Sequence, residues 1–330
     1  MQSEACAHLI RKLEREGTLT EDELVTLLAC HTNQDSRYLL EKANQIRQQH
    51  FGNRVYLQQR IEYTNYCKNE CSSCSLRKES EHVLRYRMHF EEIMECCETG
   101  YRLGFRTFLL SGGEDPYYTD ARLLYLLRSI RQRFPECMVL LSIGERSRES
   151  YKAYFRAGAS GYLLRHSTTG EANYEMLHPP EMSFEKRIRY MQELKKIGYQ
   201  VGTDFIIGLP EQRTKHLAKS LLFMKELNPQ MVELVPYFSR EGSDFWNWKE
   251  LSLELALFLT AVLRMMLPEA FLSAPKELSA FQRNGRIRGI LAGANLITLN
   301  LADEDIHSSK KEIEAKEYEI CWIQDTRRGA

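Results

Sequence analysis

The hydrophobic pattern changes character near residue 55. Before it, apolar positions recur at helical spacing, with Ala7, Leu9, Ile10 and Leu13 inside a first helix over 4–16 and another helical stretch over 35–50. Thr20 followed by Glu21, Asp22 and Glu23 reads as an N-cap with an acidic first turn. From residue 55 onward, short apolar runs alternate with long amphipathic ones. Strands are predicted at 55–63, 107–111, 138–143, 161–164, 201–207, 231–236, 270–273 and 295–300. Helices are predicted between them at 90–103, 120–134, 147–157, 183–197, 214–227, 251–267 and 281–292. Gly104, Gly158, Gly198 and Gly293 follow four of these helices, where a left-handed C-cap residue belongs. Eight strands in alternation with helices predict an α/β fold, and the count favours a closed (β/α)8 TIM barrel over an open sheet. The expected organisation is an N-terminal helical extension over 1–50, the barrel over 51–300 and a charged C-terminal tail over 301–330. In such a barrel chemistry gathers at the C-terminal ends of the strands, so the residues just after each strand are the ones to read.

Composition removes several function classes. Lys plus Arg (45) cancels Asp plus Glu (45), so no basic field is present to hold nucleic acid. At 43% hydrophobic and 27% charged residues the chain reads as an ordinary globular protein with a sizeable core. No run approaches eighteen apolar residues and the first residues lack a signal-peptide pattern, so no membrane partner is expected and the expected compartment is cytoplasmic. An odd count of nine cysteines in such a chain does not predict a disulfide framework. Cys6, Cys30, Cys96, Cys97, Cys137 and Cys321 read as small buried hydrophobes.

The other three are grouped. Cys67, Cys71 and Cys74 follow the first strand with the spacing C-x3-C-x2-C, in the stretch IEYTNYCKNECSSCSLRK. Three close thiolates match three irons of one cubane cluster, and the absence of a fourth cysteine within twenty residues leaves one iron open to a non-protein ligand. The competing readings are a structural zinc site, for which only His82 is near as a fourth ligand, and three coincidental core cysteines. A loop of Lys, Asn, Glu and Ser is a poor setting for core side chains.

The spacing, placed after the first barrel strand, resembles the signature of the radical S-adenosylmethionine (SAM) superfamily. The resemblance implies a 4Fe-4S cluster whose open iron is chelated by SAM, and reductive cleavage of SAM to methionine and a 5′-deoxyadenosyl radical. It implies further that Ser73, where an aromatic residue is usual, offers its backbone to the adenine. After the second strand, Ser111, Gly112, Gly113 and Glu114 resemble the family's GGE motif, which binds the amino group of SAM; a plain turn would use the same glycines. Ser142 and Ser167, at the ends of the third and fourth strands, are the further residues expected against the cofactor. Arg165 at the fourth strand's end suits a carboxylate, as does Arg187, although a rim ion pair and a solvated helix face are their alternatives. His166 reads as a packed histidine.

The segments HFGNRVYL, EYTNYCKNEC, RYRM, GGEDPYY, GERS, YLLRH, LHP, GYQVG, IGLP and AGANLI place the resemblance over about residues 45–300. It is to the branch that holds the FeFe-hydrogenase maturase HydE and methylornithine synthase PylB, with biotin synthase more distant. Ser167 stands where HydE commonly has an acid, Ser273–Glu277 replaces HydE's pocket segment, and Glu233 appears in the region where PylB-like proteins carry an arginine on the sixth strand. Asp115, Glu233 and Glu277 are the candidate substrate residues, with a turn aspartate and a rim glutamate as the plain roles of the first and last. The leading expectation is a HydE-like maturase acting on an organometallic precursor. The second is a PylB-like amino-acid mutase, or a related enzyme with another small substrate. A non-catalytic iron–sulfur carrier is the third. Reduction of the cluster implies a low-potential donor of ferredoxin or flavodoxin type.

Overall fold

The computed structural model describes residues 2–168, 170–238, 243, 245, 251–302 and 305–323. Eight parallel strands form the barrel: β1 (Arg54–Thr64), β2 (Thr107–Gly112), β3 (Met138–Ser142), β4 (Gly161–Leu163), β5 (Gln200–Ile207), β6 (Met231–Pro236), β7 (Phe271–Leu272) and β8 (Leu296–Asn300). They pair in the order β7-β6-β5-β4-β3-β2-β1-β8. The remaining seam, between β7 and β8, is a single parallel bridge of Ser273 with Leu296, so the barrel is nearly closed. Asn295 strengthens that seam, since its Oδ1 accepts from Leu272 N–H at 2.9 Å and from Arg264 at 3.0 Å.

Every predicted strand is present, and the four glycines after helices all take positive φ. The expected helix over 281–292 is two helices, Glu277–Phe281 and Gly285–Leu291. A Cβ on residue 285 would fall 1.8 Å from the Leu278 carbonyl oxygen, so only glycine allows this break. The helix Glu171–Leu177 carried no sequence signal strong enough to predict it.

Inward strand positions change from apolar to polar on going up the barrel. Leu109, Leu140, Leu163, Met231 and Leu296 form a small apolar plug with Ile323. Two residues further along the same strands stand Ser111, Ser142, Arg165, Glu233 and Thr298, all lining one cavity. The period of two in a strand puts each pair on one face.

Three helices precede the barrel: Gln2–Glu16, Glu21–Cys30 and Asn33–Phe51. The second and third begin with reciprocal capping boxes, Thr20 with Glu23 and Thr32 with Asp35, and each such N-cap is worth about 1 kcal/mol. Their apolar faces share the core of the barrel's outer layer, where the first and third cover the helix Leu253–Met266 and the second packs on the helix Thr214–Leu227. That helix is buried nearly all round, which explains why its sequence shows no polar face.

The end of the chain departs from the expected peripheral tail. Residues 306–314 form a helix with Ile306 and Ile313 buried, and Glu319–Cys321 pairs in parallel with the start of β1. Ile323 then enters the apolar plug. Those few apolar residues are enough to dock a charged segment. The final TRRGA lies outside the described residues. No helix among the described residues is long and apolar enough to cross a membrane.

Candidate active site in the barrel mouth

A cavity of about 600 Å³ opens at the C-terminal ends of the strands. Fourteen of the fifteen candidate residues line it: Cys67, Cys71, Cys74, Ser73, Ser111, Gly112, Gly113, Glu114, Ser142, Arg165, Ser167, Arg187, Glu233 and Glu277. Asp115 is the exception. Its carboxylate is 1% exposed and faces away, bonded by Arg87 at 2.7 and 3.0 Å, Thr64 Oγ1 at 2.8 Å and Tyr117 N–H at 3.0 Å. With those partners it has no place for a substrate ammonium, and the substrate assignment is corrected. The proline-tyrosine turn after Gly113 swings the side chain outward to meet Arg87.

The cysteine loop owes its shape to groups outside the three thiols. Arg85 donates to the carbonyls of Asn65, Leu76 and Arg77, bracing the loop from within. Lys68 N–H bonds the Glu114 carbonyl at 3.0 Å, and Ser72 N–H bonds the Leu177 carbonyl at 2.9 Å, so the unpredicted helix Glu171–Leu177 anchors the loop. Gly113 permits the close approach of β2, since a Cβ there would lie 2.2 Å from the Tyr66 carbonyl oxygen. Burial and the neighbouring thiols push Cys71 up to about 12, and burial raises Cys67. Met182 Sδ stands 3.9 Å from Cys71 Sγ.

Glu114 hangs between two loops. Its Oε1 accepts from Glu145 N–H at 3.0 Å, and its Oε2 pairs with Lys68 at 3.2 Å. Gly144 has φ +74, and a Cβ there would strike the Glu114 side chain at 2.1 Å. Arg187, 4% exposed, pairs with Glu145 at 3.0 Å and donates to the Arg165 carbonyl at 2.9 Å. It therefore supports the backbone of Arg165 while reaching the cavity wall.

The far side of the cavity carries a chain of charges that sequence reading found only in part. Glu233 Oε2 pairs with Arg165 at 3.0 Å, and its Oε1 pairs with Arg60 at 3.1 Å. Asp204, directly across from Glu233 on β5, has its Oδ2 4.0 Å from Arg165 Nη1. Burial raises the Asp204 carboxyl, against the pull of Arg165. Arg60, Asp204, Thr298 and Asn300 all line the cavity. They sit on the strands themselves, Asn300 at the end of β8, and the signal that would have found them is the strands' inward register. His166 is fully buried outside the cavity, beside Phe223, where burial lowers it to about 3.

The donor set fits a cubane cluster with one open iron. A zinc ion draws its ligands together around one point, whereas a cubane takes each thiolate on a separate iron. Among the described residues, no three His, Cys, Asp or Glu side chains converge as ligands of a single ion. The Ser111 hydroxyl, on the same wall, is buried without a protein partner, an orphaned group that a bound cofactor would satisfy.

Comparisons with known proteins agree with this geometry. The family model described as the radical SAM superfamily matches residues 61–224. The [FeFe] hydrogenase maturase subunit HydE of Thermotoga maritima is 33% identical over 292 residues, covering 88% of this chain and 83% of that protein. The 3-methylornithine synthase of Methanosarcina acetivorans is 28% identical over 308 residues, covering 92% and 86%. The crystal structure of methylornithine synthase (PylB) superposes with a TM-score of 0.86 at 26% identity, covering 95% of this chain and 97% of that one. The cofactors are those of the family, a 4Fe-4S cluster and SAM. The chain belongs to the radical SAM superfamily of enzymes, in the branch that holds HydE and 3-methylornithine synthase.

Proposed function

We propose that this enzyme is a maturase of the HydE type, acting on a small cysteine-bound organometallic iron precursor during assembly of the FeFe-hydrogenase active site. The observation that carries the reading is the 33% identity to HydE across 83% of that protein. In this reading Cys67, Cys71 and Cys74 hold the cluster. The cluster, when bound, supplies the electron for reductive cleavage of SAM to methionine and a 5′-deoxyadenosyl radical. A ferredoxin- or flavodoxin-type protein supplies that electron in turn.

Each cavity wall then has a task. Glu114, with Ser111, Gly112 and Gly113, accepts hydrogen bonds from the methionine ammonium, and Arg165 receives its carboxylate with Arg187 behind it. The backbone at Ser73 meets the adenine, and Ser142 and Ser167 complete the cofactor wall. Glu233 and Glu277, with Arg60, face the substrate. Residues 51–300 form the catalytic unit, and the segments before and after it cover its outside and its floor.

A second reading, a PylB-like amino-acid mutase, is favoured by the charged floor of Arg60, Glu233 and Asp204, which suits a zwitterion. The deciding experiment is anaerobic reconstitution, reduction, addition of SAM and assay of 5′-deoxyadenosine with each substrate class. Stimulation by the cysteine-bound iron precursor and not by lysine-like amino acids is the expected result. The reverse overturns the maturase reading, and a loaded cluster that neither binds nor cleaves SAM overturns both in favour of a carrier.

A further inference from the structure

Asp204 belongs to no motif, yet the turn that ends β4 is built on it. The carboxylate is 1% exposed, and its Oδ1 accepts the backbone N–H groups of both His166 (3.0 Å) and Ser167 (2.9 Å). Ser167 holds φ 63, a left-handed conformation that a residue with a Cβ keeps only when its surroundings compensate. The neighbouring residue on β5 grips the same turn from outside. Thr203 donates its hydroxyl proton to the Leu164 carbonyl at 2.9 Å, so the 2.7 Å contact with His166 Nδ1 has the imidazole as donor. Pairing resumes beyond the turn, where Ile206 N–H meets the Ser167 carbonyl at 3.0 Å. Two successive β5 side chains, on opposite faces of the strand, thus fix one left-handed step directly after Arg165.

We propose that Asp204 is a positioning residue for the SAM subsite: it pins the left-handed turn at His166 and Ser167, so that Arg165 and Ser167 face the cavity from a fixed backbone. The proposal rests on the reading that Arg165 and Ser167 meet SAM. Its physical core is the pair of backbone bonds, with the charge that Asp204 presents to Arg165 as a lesser contribution at 4.0 Å.

Asp204→Asn, Asp204→Ala, Ser167→Gly and the Ala/Gly double variant separate these effects, with Arg165→Ala as the reference. On the reconstituted enzyme, SAM affinity is read by equilibrium dialysis. On the iron-free chain, hydrogen exchange is read at the 166 and 167 amides. Asp204→Ala should weaken SAM about tenfold, the scale of losing charge-assisted bonds, and should accelerate exchange at both amides. Asn keeps an acceptor oxygen and should stay within about threefold. Adding Ser167→Gly should recover at least half of the alanine loss, because glycine adopts the left-handed step unaided. Equal damage from Asn and Ala, no recovery by Gly, or unchanged exchange in Asp204→Ala overturns the pin. An unchanged SAM affinity in Arg165→Ala overturns the subsite reading instead, while the exchange data still judge the pin, even in a variant that loads no cluster.

Discussion

The two halves of the barrel mouth are built differently. On the side of β1 to β4, most cavity groups sit at the strand ends or in the loops after them: the cysteine loop, the Gly112–Gly113–Glu114 edge and the turn carrying Arg165, with Arg60 inside β1 the exception. From β5 to β8 they sit largely on the strands themselves, as Asp204, Glu233 and Thr298, with Lys276 and Glu277 just beyond β7. The first half offers a ligand thiols, glycine backbone and one carboxylate. The second presents carboxylates that reach back to the first, with Glu233 bonded to Arg165 after β4 on one side and to Arg60 of β1 on the other. A cofactor common to a family demands fixed spacing in loops, whereas a substrate pocket can be rewritten one inward side chain at a time. The family model, over residues 61–224, runs from the end of β1 through β5 and stops before β6.

The largest expected effect tests the first half. Replacing Cys67, Cys71 or Cys74 by Ala should abolish cluster assembly and reduce 5′-deoxyadenosine to background, read by iron and sulfide content and by mass spectrometry. Normal iron loading in any one of them would remove that thiol from the cluster. Arg165→Ala should load its cluster and bind SAM some tenfold to a hundredfold more weakly, the range of a charge-assisted bond. An unchanged dissociation constant would place the carboxylate elsewhere.

The second half should respond in another observable. Glu277→Gln should lower substrate-dependent turnover severalfold and leave uncoupled SAM cleavage nearly intact. A parallel loss of both would assign Glu277 to SAM or to the frame. Glu233 touches both halves through its two arginines, so Glu233→Gln should shift SAM affinity and coupling together.

What was legible in the sequence follows the same division. All eight strands could be placed because parallel barrel strands are short apolar runs between amphipathic helices. The cysteine loop could be placed because its spacing marks it, and Glu114 because the segment resembles the family's GGE motif one βα unit further on. Arg60 and Asp204 were not visible: inside the runs RVYLQQRIEYT and QVGTDFII each is one polar residue among several, and only the strand's register says which face it takes. Asp115 was misread for the related reason that a turn decides which way its side chain points, and the turn delivers it to Arg87. The docking of residues 306–323 rests on Ile306, Ile313 and Ile323, with Tyr318, Ile320 and Trp322 packed beside the core, too sparse a set to form a pattern.

Acid should reveal how firmly the β4 turn is built. His166 is buried with a depressed proton affinity, about 3 against an ordinary 6.5. The unfolded chain therefore binds more protons than the folded one between those values, and stability falls as pH drops through that window. The contribution is complete above pH 6.5 and shrinks by about 1.4 kcal/mol for each pH unit below it. His166→Asn, which keeps an N–H for Thr203, should flatten the stability profile between pH 6.5 and 5 relative to the parent in denaturant titrations. Identical slopes would mean that the imidazole is hydrated or paired in the folded state.

The smallest effect should fall entirely outside both halves. Thr20 accepts Glu23 N–H at 3.3 Å and receives the Glu23 carboxylate on its own N–H at 2.9 Å, capping a helix that covers the barrel far from the cavity. Thr20→Ala removes one of those bonds and should cost about 1 kcal/mol, lowering the melting temperature by about 1–2 °C. SAM affinity and turnover should not move. If they do, the helix Glu21–Cys30 is coupled to the mouth through Thr214–Leu227, on which it packs, and the barrel mouth is set by packing behind the barrel as well as by its own loops.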